Sequence, residues 1–328
     1  MKSIHHFYLY FFIFISLVPA MGCTSSNLKN SVAQRPALIN NPHKPDMSIE
    51  IEGLCRCTGA DDNVLNLNSE EPLTVLVHGC KGSAAKFRAL AEVFAFHGQQ
   101  TVCFSYNDRD SLMKSSSDLI QSLNRLFNHM PENRITLIGH SQGGMIARKA
   151  LIKKRADELH INDRAAIRLV TVSSPFAGIN AAKHCGSKMG RKLTLGLLVP
   201  ICKLISGGKW FEITSASEFI QKPGTLIGPV SSYLKIDTDE RNSCRKYSPD
   251  GSCLKEDFVF STEEQYHPLI DEDKMTDSYE VFAGHAEIVG DEQIKPQKLI
   301  SIFQIKGIMP QTPPERKEKL ALLLNQLF

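Results

Sequence analysis

The sequence predicts an α/β fold in which a mostly parallel sheet is covered by helices on both faces. Three observations predict it. From Leu73 onward, short β-branched runs alternate with stretches of helical period. The connections between them are short, as parallel layers require. A glycine-flanked serine, Gly139-His140-Ser141-Gln142-Gly143, falls at one of the strand-to-helix turns.

The elements follow in order. Leu73-Thr74-Val75-Leu76-Val77 is a short apolar run ending at His78-Gly79, which predicts a buried strand. Ala84 to His97 places Phe87, Leu90, Ala91, Val93 and Phe94 at helical spacing and stops at Gly98. Thr101 to Tyr106 predicts a second strand. Asp110 to His129 predicts a second helix, with Leu119, Ile120, Leu123, Leu126 and Phe127 on one side. Ile135 to Gly139 predicts a third strand, and the helix after it runs from Gln142 to about Lys154. Arg168 to Val172 predicts a fourth strand, closed by Ser174-Pro175. The alternation then breaks. Residues 181 to about 228 mix Leu193, Leu197, Leu198, Ile201, Leu204, Trp210 and Phe211 with glycines, which predicts an apolar lid or cap inserted over the site. Strand pattern returns at Tyr233–Ile236 and Tyr279–Phe282. The tail from Pro313 to Phe328 has the period of an amphipathic helix docked on the core.

The N-terminus reads differently. Lys2 precedes an uncharged run, Phe7 to Ala20, which is too short to span a membrane comfortably but right for the apolar core of a signal peptide. Gly22-Cys23 and the polar stretch Thr24-Ser25-Ser26-Asn27 follow, an arrangement that resembles a bacterial lipoprotein cleavage site. That resemblance implies a signal peptide over residues 1–22, lipidation at Cys23 and a polar tether over 23–50. It also implies a membrane-anchored exported protein. No acidic residue follows Cys23 directly, which by the same resemblance points to the outer membrane, facing periplasm or cell surface. Residues 51–328 then form one domain.

Nine cysteines less Cys23 leave an even remainder, which fits disulfides in an oxidising compartment. Cys244 and Cys253 flank a polar loop and are the expected pair. Cys55-Arg56-Cys57 lacks the spacing of a zinc site, and no metal or cofactor is expected. With 38 basic against 35 acidic residues, the net charge is only +3, and no dense basic run argues for nucleic acid as a partner.

The chemistry centres on Ser141. A serine at a sharp strand-to-helix turn has a strained backbone and a hydroxyl standing clear of the sheet, and the helix start beside it favours developing negative charge. Val75-Leu76-Val77-His78-Gly79, Gly139 to Gly144 (GHSQGG) and Ala283-Gly284-His285 resemble the bacterial lipase and esterase branch of the α/β-hydrolase superfamily, over about Pro72 to Ile294. The resemblance implies an eight-stranded, mostly parallel sheet. It implies a catalytic set in the chain order Ser, acid, His, and ester hydrolysis through an acyl-enzyme. It also assigns the oxyanion donors to the backbone amides of Gln142 and Cys80. Of His160, His184, His267 and His285, only His285 follows the last predicted strand, at the sheet edge where catalytic groups collect. The acid is open. Asp257, in Asp-Phe-Val-Phe, is the leading candidate, with Glu264 in STEEQYHP and Asp237 or Asp239 at the end of YLKIDTD as alternatives. The apolar insertion favours an ester or lipid substrate. An acyltransferase or thioesterase would use the same machinery, and a non-catalytic surface-binding lipoprotein is the reading from a different class.

Overall fold

The computed structural model describes residues 44–57, 63–80, 82–130, 134–154, 158–182, 207–290 and 294–328. The signal segment, Cys23, most of the tether, His184 and residues 183–206 of the insertion lie outside them.

Two short strands, β1 (Met47–Glu50) and β2 (Leu54–Cys55), open the described chain, and β3 (Val64–Leu67) pairs antiparallel with β1. The main sheet is built from β4 (Leu73–Val77), β5 (Gln100–Phe104), β6 (Arg134–His140), β7 (Ala166–Val172), β8 (Val230–Asp239) and β11 (Thr276–Phe282), with β2 at one edge. Its order is β11-β8-β7-β6-β4-β5-β2, and every pairing is parallel except β2 with β5. Among the described residues the sheet therefore has seven strands rather than the eight expected. The hairpin of β9 (Cys244–Tyr247) and β10 (Cys253–Glu256) stands apart from it.

Every residue of β4 is buried, because helices cover both faces of a parallel sheet. On one face, α2 (Leu112–Phe127) turns Leu112, Leu119, Ile120, Leu123, Leu126 and Phe127 inward. α3 (Gln142–Ala150) packs beside it. On the other face, α1 (Arg88–Phe96), α4 (Gln297–Ile305) and the tail helix α5 (Lys317–Leu327) cover the sheet. Phe94 and Phe303 meet there with ring centroids 5.9 Å apart, both fully buried. Each such phenyl ring contributes about 1.5–3 kcal/mol relative to exposure. In α5, Leu323 and Leu324 are buried, so the tail is docked on the core.

The described part of the insertion adds to the core. Ile213, Ile220 and Leu226 are buried in the same cluster as α2 and α3. Among the described residues no helix is long and apolar enough to cross a membrane. Disulfides join Cys57 to Cys103 and Cys244 to Cys253. Cys55 is a buried free thiol, so the cysteines do not all pair, and burial pushes its pKa up.

Candidate active site

Ser141 follows β6 immediately and is the N-cap of α3, with φ 57° and ψ −127°. A non-glycine residue in this region is strained, and the surrounding structure must impose it. The neighbouring glycines explain how. A Cβ on Gly143 would sit 2.1 Å from the Val77 carbonyl oxygen, and one on Gly139 would sit 2.4 Å from the Gly143 oxygen. Only without those carbons can α3 cross the ends of β4 and β6 so closely. Ser141 is 5% exposed, and its amide donates to the Val172 carbonyl at 2.9 Å.

His285 lies just past β11, at the same end of the parallel sheet. Two contacts fix its neighbourhood to that of the serine. Its ring centroid is 4.7 Å from that of His140, and its carbonyl lies 3.0 Å from His140 Nε2. A carbonyl can only accept, so His140 Nε2 carries a proton. Burial, with His285 nearby, holds the pKa of His140 well below the usual histidine value, so that ring is neutral.

The carboxylate on the His285 ring is Glu240, the first residue past β8. His285 Nδ1 is 2.9 Å from Glu240 Oε1 and 2.8 Å from Ser173 Oγ. Glu240 is fully buried and hydrogen-bonded throughout. Oε1 also accepts from Ser173 Oγ at 2.8 Å and from Thr238 Oγ1 at 3.0 Å. Oε2 accepts from the amides of Val259 and Phe260 at 2.6 and 2.9 Å. Burial alone would raise its pKa. The His285 hydrogen bond and charge, with the two amides, outweigh burial and lower it. An ionised Glu240 is acceptor-only, so Nδ1 of His285 holds the proton and Nε2 is left as the basic nitrogen.

The other carboxylates are committed elsewhere. Asp257, expected as the acid, does not face the ring. It accepts from Arg245 Nη2 at 2.9 Å and from the amides of Ala286 and Glu287, both at 2.9 Å, so it caps the turn that follows His285. Its backbone carbonyl accepts from the His285 amide at 3.0 Å. Asp257 thus supports the histidine loop rather than polarising the imidazole. Glu264 forms a capping box with Ser261 and accepts from the Asn180 amide at 2.6 Å. Asp239 is paired with Arg241, and Asp237 with the buried Lys235. Glu240, one residue beyond the YLKIDTD run, was missed. The available signal was its position just after a strand that ends at the same sheet edge as Ser141 and His285.

The two expected oxyanion amides also lie at this edge. Gln142 opens α3, where the first amides of a helix have no intrahelical partner. Cys80 sits in the tight turn closed by Gly82 N to Gly79 O at 3.1 Å, directly after β4, and is disulfide-bonded. Among the described residues no group of His, Cys, Asp and Glu side chains is arranged to hold a metal ion.

Comparison with known proteins bears on this geometry. Against a lipase of Bacillus licheniformis in its propeptide form, the TM-score is 0.50 at 14% identity, covering 75% of this chain and 52% of that one. The chain has the α/β-hydrolase fold. Two further hydrolase structures match more loosely. The mature form of the same Bacillus lipase has a TM-score of 0.46 at 15% identity, covering 73% of this chain and 93% of that one. An esterase of Pyrococcus furiosus has a TM-score of 0.47 at 17% identity, covering 83% and 96%. Residues 68–202, less than half of the hydrolase-fold chain, match the family described as "Putative serine esterase (DUF676)". No curated protein matches.

Proposed function

We propose that this chain is a serine hydrolase of carboxylic esters, acting through an acyl-enzyme on Ser141 with His285 as base and Glu240 as acid. The observation that carries the reading is the placement of the buried Glu240 carboxylate on Nδ1 of His285. Glu240 accepts from Nδ1, which leaves Nε2 free to take a proton at the edge where Ser141 is held in its strained turn. Nε2 takes the Ser141 Oγ proton as Oγ attacks the substrate carbonyl carbon. The amides of Gln142 and Cys80 hold the oxygen that becomes anionic, each worth roughly 10²–10³ in rate. The carbon–oxygen bond to the alcohol breaks, and the alcohol leaves with the proton from Nε2. Water then attacks the acyl carbon, gives its proton to Nε2 and releases the acid, and Oγ recovers its proton. The match of residues 68–202 to a serine esterase family supports this chemistry.

A fluorophosphonate probe tests the reading. One equivalent is expected to attach to the peptide containing Ser141, with loss of p-nitrophenyl ester turnover in proportion. Labelling at another residue, or full turnover after labelling, overturns it. Transfer of the acyl group to an added alcohol or thiol in preference to water would instead identify an acyltransferase.

Export and anchoring belong to the same proposal. The uncharged run before Gly22-Cys23 carries it, and the disulfides Cys57–Cys103 and Cys244–Cys253 accord with an oxidising compartment. The mature protein is expected to begin at Cys23 with attached acyl chains by intact mass. A lipid-free N-terminus at Met21 would overturn this.

A further inference from the structure

Lys209 is 2% exposed, on a short helical turn (Gly207–Lys209) in the described part of the insertion. Burying an ammonium group is costly unless its protons are all engaged. Its Nζ donates to the side-chain oxygen of Gln142 and to the Asp108 carbonyl. The side-chain Nε2 of Gln142 closes the ring by donating to the same Asp108 carbonyl at 3.1 Å. The segment around Lys209 is latched to the loop after β5 at two further points. Gly208 N donates to the Arg109 carbonyl at 2.6 Å, and a Cβ on Gly207 would lie 2.4 Å from that oxygen. The Glu212 carboxylate accepts from Ser111 Oγ at 2.8 Å and from the Leu112 amide at the start of α2.

This arrangement has a chemical use. Gln142 is the residue after Ser141, and its backbone amide is an oxyanion donor in the mechanism above. A donor is worth its full effect only when held within a few tenths of an ångström of where charge develops. We propose that Lys209 is a positioning residue for the oxyanion hole: by gripping the Gln142 side chain against Asp108, it fixes the Gln142 backbone amide. The proposal rests on the serine hydrolase reading. Its effect falls on the chemical step, because the oxyanion exists only after attack.

Among the described residues, the charges of Asp108 and Arg109, on the loop after β5, act on Lys209. Lys209 acts in turn on His78, and Tyr106 lies against Asp108 and Gln142. Burial holds Tyr106 protonated and His78 neutral. Burial pushes the Lys209 pKa down to about 8, with Asp108 opposing and Arg109 assisting. Loss of that proton weakens the grip on Gln142, so kcat is expected to fall as pH rises through about 8.

The test uses the mature protein on one p-nitrophenyl ester. Lys209→Met is expected to lower kcat about 10- to 100-fold with KM within about threefold, and to remove the alkaline limb near pH 8. Lys209→Arg should recover part of kcat and shift the limb upward. Gln142→Met keeps the backbone amide but removes the side chain Lys209 holds. It should lose a similar factor, and the double variant should be no worse than either single one. A flat wild-type kcat from pH 7 to 10 overturns the proposal without any variant. So does multiplicative loss in the double variant, or a KM effect alone. If the wild type neither labels with fluorophosphonate nor turns over ester, the hydrolase reading falls and this proposal with it. An active, labelled wild type with a silent Lys209→Met overturns this proposal alone.

Discussion

Ser141→Ala is expected to reduce ester turnover by about 10⁴- to 10⁶-fold while the protein remains folded. No other group can replace the attacking oxygen, and the residual rate would come from the oxyanion amides and substrate binding alone. The fold should tolerate the change. The strain at φ 57° is borne by the backbone, and alanine meets the same steric conditions as serine there. The expected change in unfolding free energy is about 1 kcal/mol or less, readable by denaturant titration. His285→Ala should fall to a similar rate, because the groups act as a unit. A Ser141→Ala protein that hydrolyses p-nitrophenyl esters above about a hundredth of the wild-type rate would move the nucleophile elsewhere.

Glu240→Gln carries the next largest effect. The amide presents N–H where His285 Nδ1–H now donates, which favours the wrong tautomer. A loss of about 10⁴ in kcat is the measure of such a swap in serine-protease triads. Stability should fall as well. Five donors converge on the two Glu240 oxygens, and glutamine offers only one oxygen to receive them. The pH dependence gives a separate reading. The folded-state pKa of Glu240 lies below its ordinary value, so its contribution to stability is present above the usual glutamate pKa of about 4.3 and is lost as pH falls through the lower folded value. The variant should lack that part of the acid transition. Asp257→Asn should cost only about tenfold in kcat, since asparagine retains an oxygen for the Ala286 and Glu287 amides. Collapse of Asp257→Asn beside a nearly normal Glu240→Gln would reverse the assignment.

The uneven legibility of this site in the sequence has a physical cause. Ser141 was readable because everything that defines its turn is local: a β-branched strand, flanking glycines and a helical stretch within a few residues. His285 was readable almost as directly, as the first histidine past the last strand. The acid was not, because several carboxylates lie between Asp237 and Glu264, and tertiary packing decides which one reaches Nδ1. Asp257 and Glu264 are consumed by backbone amides that only the folded chain brings to them. Lys209 was unreadable for a related reason. Its charge, within an apolar insertion, is buried only because Asp108 and Gln142, from remote parts of the sequence, meet it there. Residues 183–206, on which the lid expectation mostly rests, lie outside the described residues.

The parallel order of the sheet also sets when during folding this site can exist. The contact between His140 and His285 spans 145 positions of chain, and the Glu240 link, within that stretch, spans 45. β11, which delivers His285, is an edge strand held by β8 alone. Closing such long loops is slow, and a sheet dominated by non-local pairing gains its last strand late. The serine turn can therefore form well before His285, its proposed base, is within its reach. On the proposed roles, a chain still being made would carry the nucleophile without the means to ionise it, so its reactivity would be withheld until almost the whole polypeptide has arrived and closed.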